Sequence, residues 1–139
     1  MRVLSDEIDV GIVTDLGVWD ESIVDALLGV RTLLIEANYD EDALWTGPYP
    51  TRLKYRVAGR RGHLSNLQAR FLVERLVGPR LEHVALGHLS DTNNSDERAL
   101  ETVRPALAFT TTQLSCAQQH MPTVLWSDRE NRSENLSII

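Results

Sequence analysis

Three short apolar runs in this 139-residue sequence end, on the carboxyl side, in a side chain that can bind a metal ion or move a proton. Gly11-Ile12-Val13-Thr14 runs into Asp15, Leu33-Leu34-Ile35 into Glu36, and Val84-Ala85-Leu86-Gly87 into His88. Carboxylates and imidazoles ligate divalent ions, and they act as general acids and bases. In α/β sheets ligands bind in the crevice outside the carboxyl ends of the strands. If these runs are neighbouring parallel strands, the three groups converge. A strand end also carries polar residues simply because it reaches solvent, so the reading rests on the agreement of three runs.

His63 belongs to a second constellation. It follows the loop Gly59-Arg60-Arg61-Gly62 and precedes Ser65-Asn66-Leu67-Gln68, which fits a capping box at a helix start. A helix N-terminus favours anions, and Arg60 and Arg61 add two guanidiniums. Arg60, Arg61, Ser65 and Asn66 are therefore candidate phosphate contacts, with His63 as a proton donor beside them. A solvated basic loop is the plainer alternative. His83 lies five residues before His88, so on a regular strand the two rings point to opposite faces. His83 and His120 are read as surface or packing residues, and Cys116 has no context as a nucleophile. Trp19, Trp45 and Trp126 are scattered, which suits core or edge positions better than a base-stacking platform.

The elements that must position these groups follow from periodicity. A buried strand is predicted over Val10 to Asp15. Asp20 caps a helix with Ile23, Val24, Leu27 and Leu28 at helical spacing, stopped by Gly29. Thr32 to Ile35 is a second strand. Asp40, Glu41 and Asp42 open a short helix that Gly47-Pro48-Tyr49-Pro50 breaks, and residues 51–58 form another. Ser65 caps a helix with Leu67, Phe71, Leu72 and Leu76 on its apolar face. Val84 to Leu89 is a third strand, and Ser95 caps a helix that Pro105 bends or ends. Residues 109–121 read as irregular, and Thr123 to Trp126 as a last strand. This alternation predicts an α/β layered domain.

The formal charge of −6 hides a strong asymmetry. Residues 1–42 carry 11 acids and two bases, net −9; residues 43–73 carry six bases and no acid, net +6; residues 74–139 carry nine acids and six bases, net −3. The basic block (Arg52, Lys54, Arg56, Arg60, Arg61, Arg70) suits a polyanion that the total charge would argue against. No apolar stretch reaches the roughly 18–20 residues that span a membrane, and no secretory leader is visible. One cysteine excludes an internal disulfide and a thiolate zinc cluster, so a cytoplasmic setting is expected. Phosphate-loop, dinucleotide, nucleophile-elbow and His-Glu-x-x-His motifs are absent.

Five segments together resemble the metallo-β-lactamase-fold hydrolases of the YycJ/WalJ-like branch. They are Gly-Ile-Val-Thr-Asp-Leu-Gly at 11–17, Leu-Leu-Ile-Glu-Ala-Asn-Tyr-Asp at 33–40, Gly-Pro-Tyr-Pro at 47–50, Arg-Gly-His-Leu-Ser-Asn at 61–66 and Gly-His-Leu-Ser-Asp-Thr-Asn-Asn at 87–94. The resemblance implies the C-terminal half of an αββα sandwich, a layered sheet with outer helices. It divides the chain into a non-matching segment 1–9, a partial domain 10–127 and a polar tail 128–139. Asp15 is implied as the carboxylate bridging two divalent ions, Zn or Mn, and His88 as a ligand of the second ion. Glu36 and His63 resemble the accessory acid and histidine that deliver a proton and hold phosphate in related nucleases. Tyr39 stands where members of the branch usually carry His.

The implied activity is that of a nuclease or phosphodiesterase, with 5′-to-3′ exonuclease action on DNA. The His-x-His-x-Asp-His motif of the fold is missing from these 139 residues. The chain is therefore expected to be a fragment, a truncated gene product or a mis-called start, inactive and weakly metal-binding alone. Self-association, or pairing with a missing N-terminal half, is expected with it. Two alternatives stay open: a non-catalytic remnant that binds anions or nucleic acid through residues 52–70, and an interaction module.

Overall fold

The computed structural model describes residues 1–4 and 9–118, together with the backbone of 123–124 and 137–138. Five strands form one sheet in the order β1 (Arg2–Leu4), β2 (Asp9–Val13), β3 (Thr32–Glu36), β4 (His83–Gly87) and β5 (Gln113–Cys116). The β1–β2 pair is antiparallel, and β2, β3, β4 and β5 are parallel neighbours in sequence order. The expected α/β class is therefore observed, with the three motif-bearing strands side by side.

Each parallel step needs a helical crossover. The first is α1 (Glu21–Leu27), and the last is α5 (Asp96–Val103) with a 3₁₀ turn at Arg104–Leu107. Between β3 and β4 run α2 (Glu41–Thr46), α3 (Thr51–Val57) and α4 (Asn66–Leu76). Val24 and Leu27 of α1, Leu72 and Val73 of α4, and Ala99 and Val103 of α5 join Leu33, Ile35, Val84 and Leu86 in one core. On the other sheet face Leu34 and Ala85 form a smaller cluster with Ile12 and Ala117. The strands alternate accordingly, as period-2 side chains must.

Local signals explain the element ends. Asp20 caps α1 by accepting from the Ser22 amide, and Gly29 takes the left-handed φ of 78° that stops it. Ser65 caps α4 with both reciprocal bonds of a capping box. Pro105 falls at the start of the 3₁₀ turn, where its missing N–H costs little.

Several expectations are corrected. The third strand ends at Gly87, so His88 stands beyond it at φ 56°. Phe71 is exposed rather than inward; the buried face of α4 is Ala69, Leu72, Val73 and Leu76. Leu28 is likewise exposed. Residues 113–116, read as irregular, form β5: only Leu114 and Cys116 pack on the core, too short an alternation to stand out between polar neighbours. Residues 2–4 form β1, an edge strand tied down by the Arg2–Asp9 ion pair at 2.9 Å. Thr123–Val124 do form a strand, paired with Ser137–Ile138 in a separate two-stranded sheet. His120, Leu125, Trp126 and the tail from 128 otherwise lie outside the described residues.

Candidate functional site

The parallel register sets the site. Val13 pairs with Ile35, Ile35 with Leu86, and Glu36 with Gly87, so the three strands end at the same level. Asp15, Glu36 and His88 therefore emerge side by side. Beyond β3 the chain threads between two loops. The Ala37 amide donates to the Gly87 carbonyl at 3.0 Å, and the Asn38 amide to the Leu64 carbonyl at 2.9 Å. The Asn66 amide returns a bond to the Tyr39 carbonyl at 2.9 Å. That stitching brings His63 and His88 to the same oxygen of the Glu36 carboxylate.

The geometry is tight. His63 Nδ1 lies 2.6 Å and His88 Nδ1 3.0 Å from Glu36 Oε1. Oε2 of the same carboxylate accepts from the Leu16 amide at 3.1 Å. Glu36 is completely buried, and these partners are what make a buried acid tolerable. The two imidazoles meet edge to face with centroids 5.1 Å apart. Asp15 Oδ1 is 4.0 Å from His63 Nδ1 and 3.9 Å from His88 Nδ1, and its side chain is 73% exposed. Ligand atoms of Asp15, His63 and His88 all fall within 4.8 Å of one another.

An ionised carboxylate only accepts, so the His63 Nδ1 that contacts it is the donor, and Nε2 is the ring nitrogen left for another partner. Buried carboxylates orient metal-binding histidines in the same way. Asp15 and His88 are the two non-glycine residues with positive φ among the described residues, both at 56°. Asp and His tolerate this region better than most side chains, at a cost of order 1–3 kcal/mol each. Such strain persists where surrounding structure fixes it, and it gathers at functional sites.

Arg60 and Arg61 are exposed and form no ion pair with the described residues. The loop that bears them docks on the one after β2. At Gly17 a Cβ would come within 2.3 Å of the Gly59 carbonyl oxygen and 2.6 Å of the Arg60 carbonyl carbon. Only glycine allows that approach, and it sets the Arg60 backbone against Gly17, two residues after Asp15 in sequence.

Ser65 and Asn66 sit elsewhere. Both are buried: Ser65 Oγ accepts from the Gln68 amide and donates to Glu41, and Asn66 exchanges hydrogen bonds with Asn94. The α4 amides that Ser65 and Tyr39 engage are not free for an anion. His83 contacts Ser115 Oγ at 2.9 Å and stays out of the cluster. Gly87 contacts the Leu34 side chain, so its small size serves packing next to His88.

Two further residues matter. Asn38 Nδ2 donates to the His88 carbonyl at 2.7 Å, and Asn94 Nδ2 to the Ala37 carbonyl at 2.7 Å. Both hold the backbone that aims the histidines. Asparagines in loops usually read as turn formers, so their sequence signal is faint. Tyr39 is buried beside Ser65, and burial, with the Glu41 charge next, pushes its phenol pKa up.

This is an α/β protein with a carboxylate–imidazole cluster at the carboxyl edge of a parallel sheet. It is a relative of the WalJ/YycJ exodeoxyribonucleases, as comparison with known proteins shows. Over 107 residues it is 36% identical to Exodeoxyribonuclease WalJ of Streptococcus pneumoniae, in strains D39 and R6, covering 77% of this chain and 40% of those proteins. Over 96 residues it is 29% identical to Exodeoxyribonuclease YycJ of Bacillus anthracis, covering 69% of this chain and 36% of that protein. The chain thus spans about 40% of the length of the curated relatives it matches. No family model matches it, and no solved structure does. No helix among the described residues is long and apolar enough to cross a membrane.

Proposed function

We propose that this chain builds part of the active site of a metal-dependent phosphodiesterase of the metallo-β-lactamase fold, with nucleic acid as substrate. The observation that carries the reading is the convergence of Asp15, His63 and His88 around buried Glu36. The similarity to proteins named exodeoxyribonucleases supports the substrate class. A parallel sheet with α1, α4 and α5 in one core fits one half of an αββα sandwich.

One carboxylate and two imidazoles suit Zn²⁺ or Mn²⁺, and Asp15 and His88 are the residues that would hold the ion. Such an ion supplies Lewis acidity toward a phosphoryl oxygen. The chain's own residues do the rest. Glu36 fixes the His63 ring through Nδ1, which leaves Nε2, when it carries a proton, as the atom that donates it to the leaving oxygen. Arg60 and Arg61 offer guanidiniums to the phosphate charge without giving up an ion pair among the described residues. A two-ion centre needs more ligands than these, and they would come from sequence corresponding to the part of the relatives that this chain does not match.

The test is hydrolysis of end-labelled DNA by the full-length reading frame that contains these 139 residues, with and without divalent ions. Metal-dependent cleavage lost in both Asp15→Ala and His88→Ala is expected. Full activity in either variant contradicts the assignment.

A further inference from the structure

Helix α3 exposes Arg52, Tyr55 and Arg56, spaced i, i+3, i+4, and so shows them on one face, while Leu53, Lys54 and Val57 are half-buried. Tyr55 is 67% exposed and Trp45 of α2 is 45% exposed, and their rings meet edge to face with centroids 5.3 Å apart. Lys54 fixes the pairing by donating from Nζ to the Trp45 carbonyl at 2.8 Å. Two large aromatic rings held together at the surface make a contiguous apolar patch, the kind of feature that marks an interaction site.

The surroundings say what would bind. Residues 43–73 contain no acid, and Arg52, Arg56 and Arg60 are exposed with no ion pair to the described residues. The helix that bears Tyr55 also leads into the site. The His63 amide donates to the Val57 carbonyl at 2.9 Å, and Tyr55 lies two residues, or ~3 Å of helix rise, before Val57. Aromatic faces beside unpaired guanidiniums are what single-stranded nucleic acid needs, because every base has a π-face and every linkage a charge. A duplex keeps its bases stacked and would use only the charges.

We infer that Trp45 and Tyr55 form a base-stacking platform that receives the unpaired end of a nucleic-acid strand, with Arg52, Arg56 and Arg60 on its phosphates. The inference rests on the nucleic-acid reading of the site but not on its hydrolytic chemistry, so the two can fail separately.

The test is binding, without added metal, of a fluorescent single-stranded oligonucleotide to this chain, with the matching duplex and inorganic polyphosphate as probes. Single strand binds more tightly than duplex. Trp45→Ala and Tyr55→Ala each weaken single-strand binding about 5- to 150-fold, leaving polyphosphate binding and the salt slope unchanged. Trp45→Phe keeps an aromatic face, so affinity stays within a few-fold while the binding-induced change in tryptophan emission is lost. Arg56→Ala lowers the salt slope by about one unit for all three probes. Equal loss of polyphosphate and oligonucleotide binding in Trp45→Ala, no loss in either aromatic variant, or tighter duplex than single-strand binding overturns the platform. A protein partner on the same rings would give the no-loss result.

Discussion

His63 Nδ1 lies 2.6 Å from Glu36 Oε1, and the carboxylate that receives it is fully buried at the end of the central strand of three. His88 approaches the same oxygen from the neighbouring strand end at 3.0 Å. A single acid thus holds the His63 ring by a hydrogen bond and stands close to the His88 ring. Asp15, the most exposed member of the cluster, is left to face whatever enters.

Glu36→Gln tests that arrangement with little change in shape. An amide presents one accepting oxygen and one donating nitrogen, so it cannot accept from His63 and from Leu16 together. Divalent-ion affinity is expected to fall about 10- to 100-fold by calorimetry, as for other orienting partners of metal-binding histidines. Unchanged affinity would show that the rings need no such anchor.

Gly17→Ala should separate the loop bearing Arg60 from the loop bearing Asp15. Its Cβ would meet backbone at 2.3 Å, and backbone cannot swing aside as a flexible side chain can. A stability loss of about 1–3 kcal/mol is expected in denaturant unfolding. The His63 imidazole signals should shift as well. Gly29→Ala is the control: it places a methyl in open space at φ 78° and costs about 1–2 kcal/mol without moving those signals.

Ser65→Ala removes the acceptor for the Gln68 amide and the donor to Glu41. Loss of the cap is expected to cost about 1 kcal/mol in thermal unfolding. Because Ser65 serves the helix rather than a ligand in this geometry, phosphate affinity should stay at the wild-type value. A parallel fall in phosphate affinity would return Ser65 to the binding site.

Cys116 should be slow to alkylate. Burial first, then the Asp96 charge, pushes its thiol up to about 12 from an ordinary 9.0. The thiolate is the reactive form, so at pH 8 iodoacetamide should react about a thousandfold more slowly than with an unhindered thiol. The rate should climb roughly tenfold per pH unit well past pH 9. A plateau near pH 9 would contradict the shift.

The sequence made the central pattern legible because the residues concerned end apolar runs. A run of four or five buried positions predicts a strand, and the residue after it predicts where the strand surfaces. Asp15, Glu36 and His88 were readable for that reason. Their mutual distance was not, because it depends on register between strands separated by long crossovers. β5 stayed hidden because Gln113-Leu114-Ser115-Cys116 offers only two inward residues. The pairing of Trp45 with Tyr55 was hidden as well. The two lie ten positions apart on different helices, across the Gly47-Pro48-Tyr49-Pro50 break, and no periodicity links them. Ser65 shows the opposite case: its cap motif was plain, yet the same hydrogen bonds that make the motif use up the oxygen assigned to phosphate.

The central claim, that Asp15 and His88 hold a divalent ion with His63 beside it, is tested most directly by titrating this chain with Mn²⁺ and following its histidine ring signals by NMR. The account predicts that His63 and His88 broaden first and together, that His83 does not broaden with them, and that Asp15→Ala raises the Mn²⁺ needed. Broadening of His83 alongside the other two, or an unchanged titration in Asp15→Ala, would contradict it.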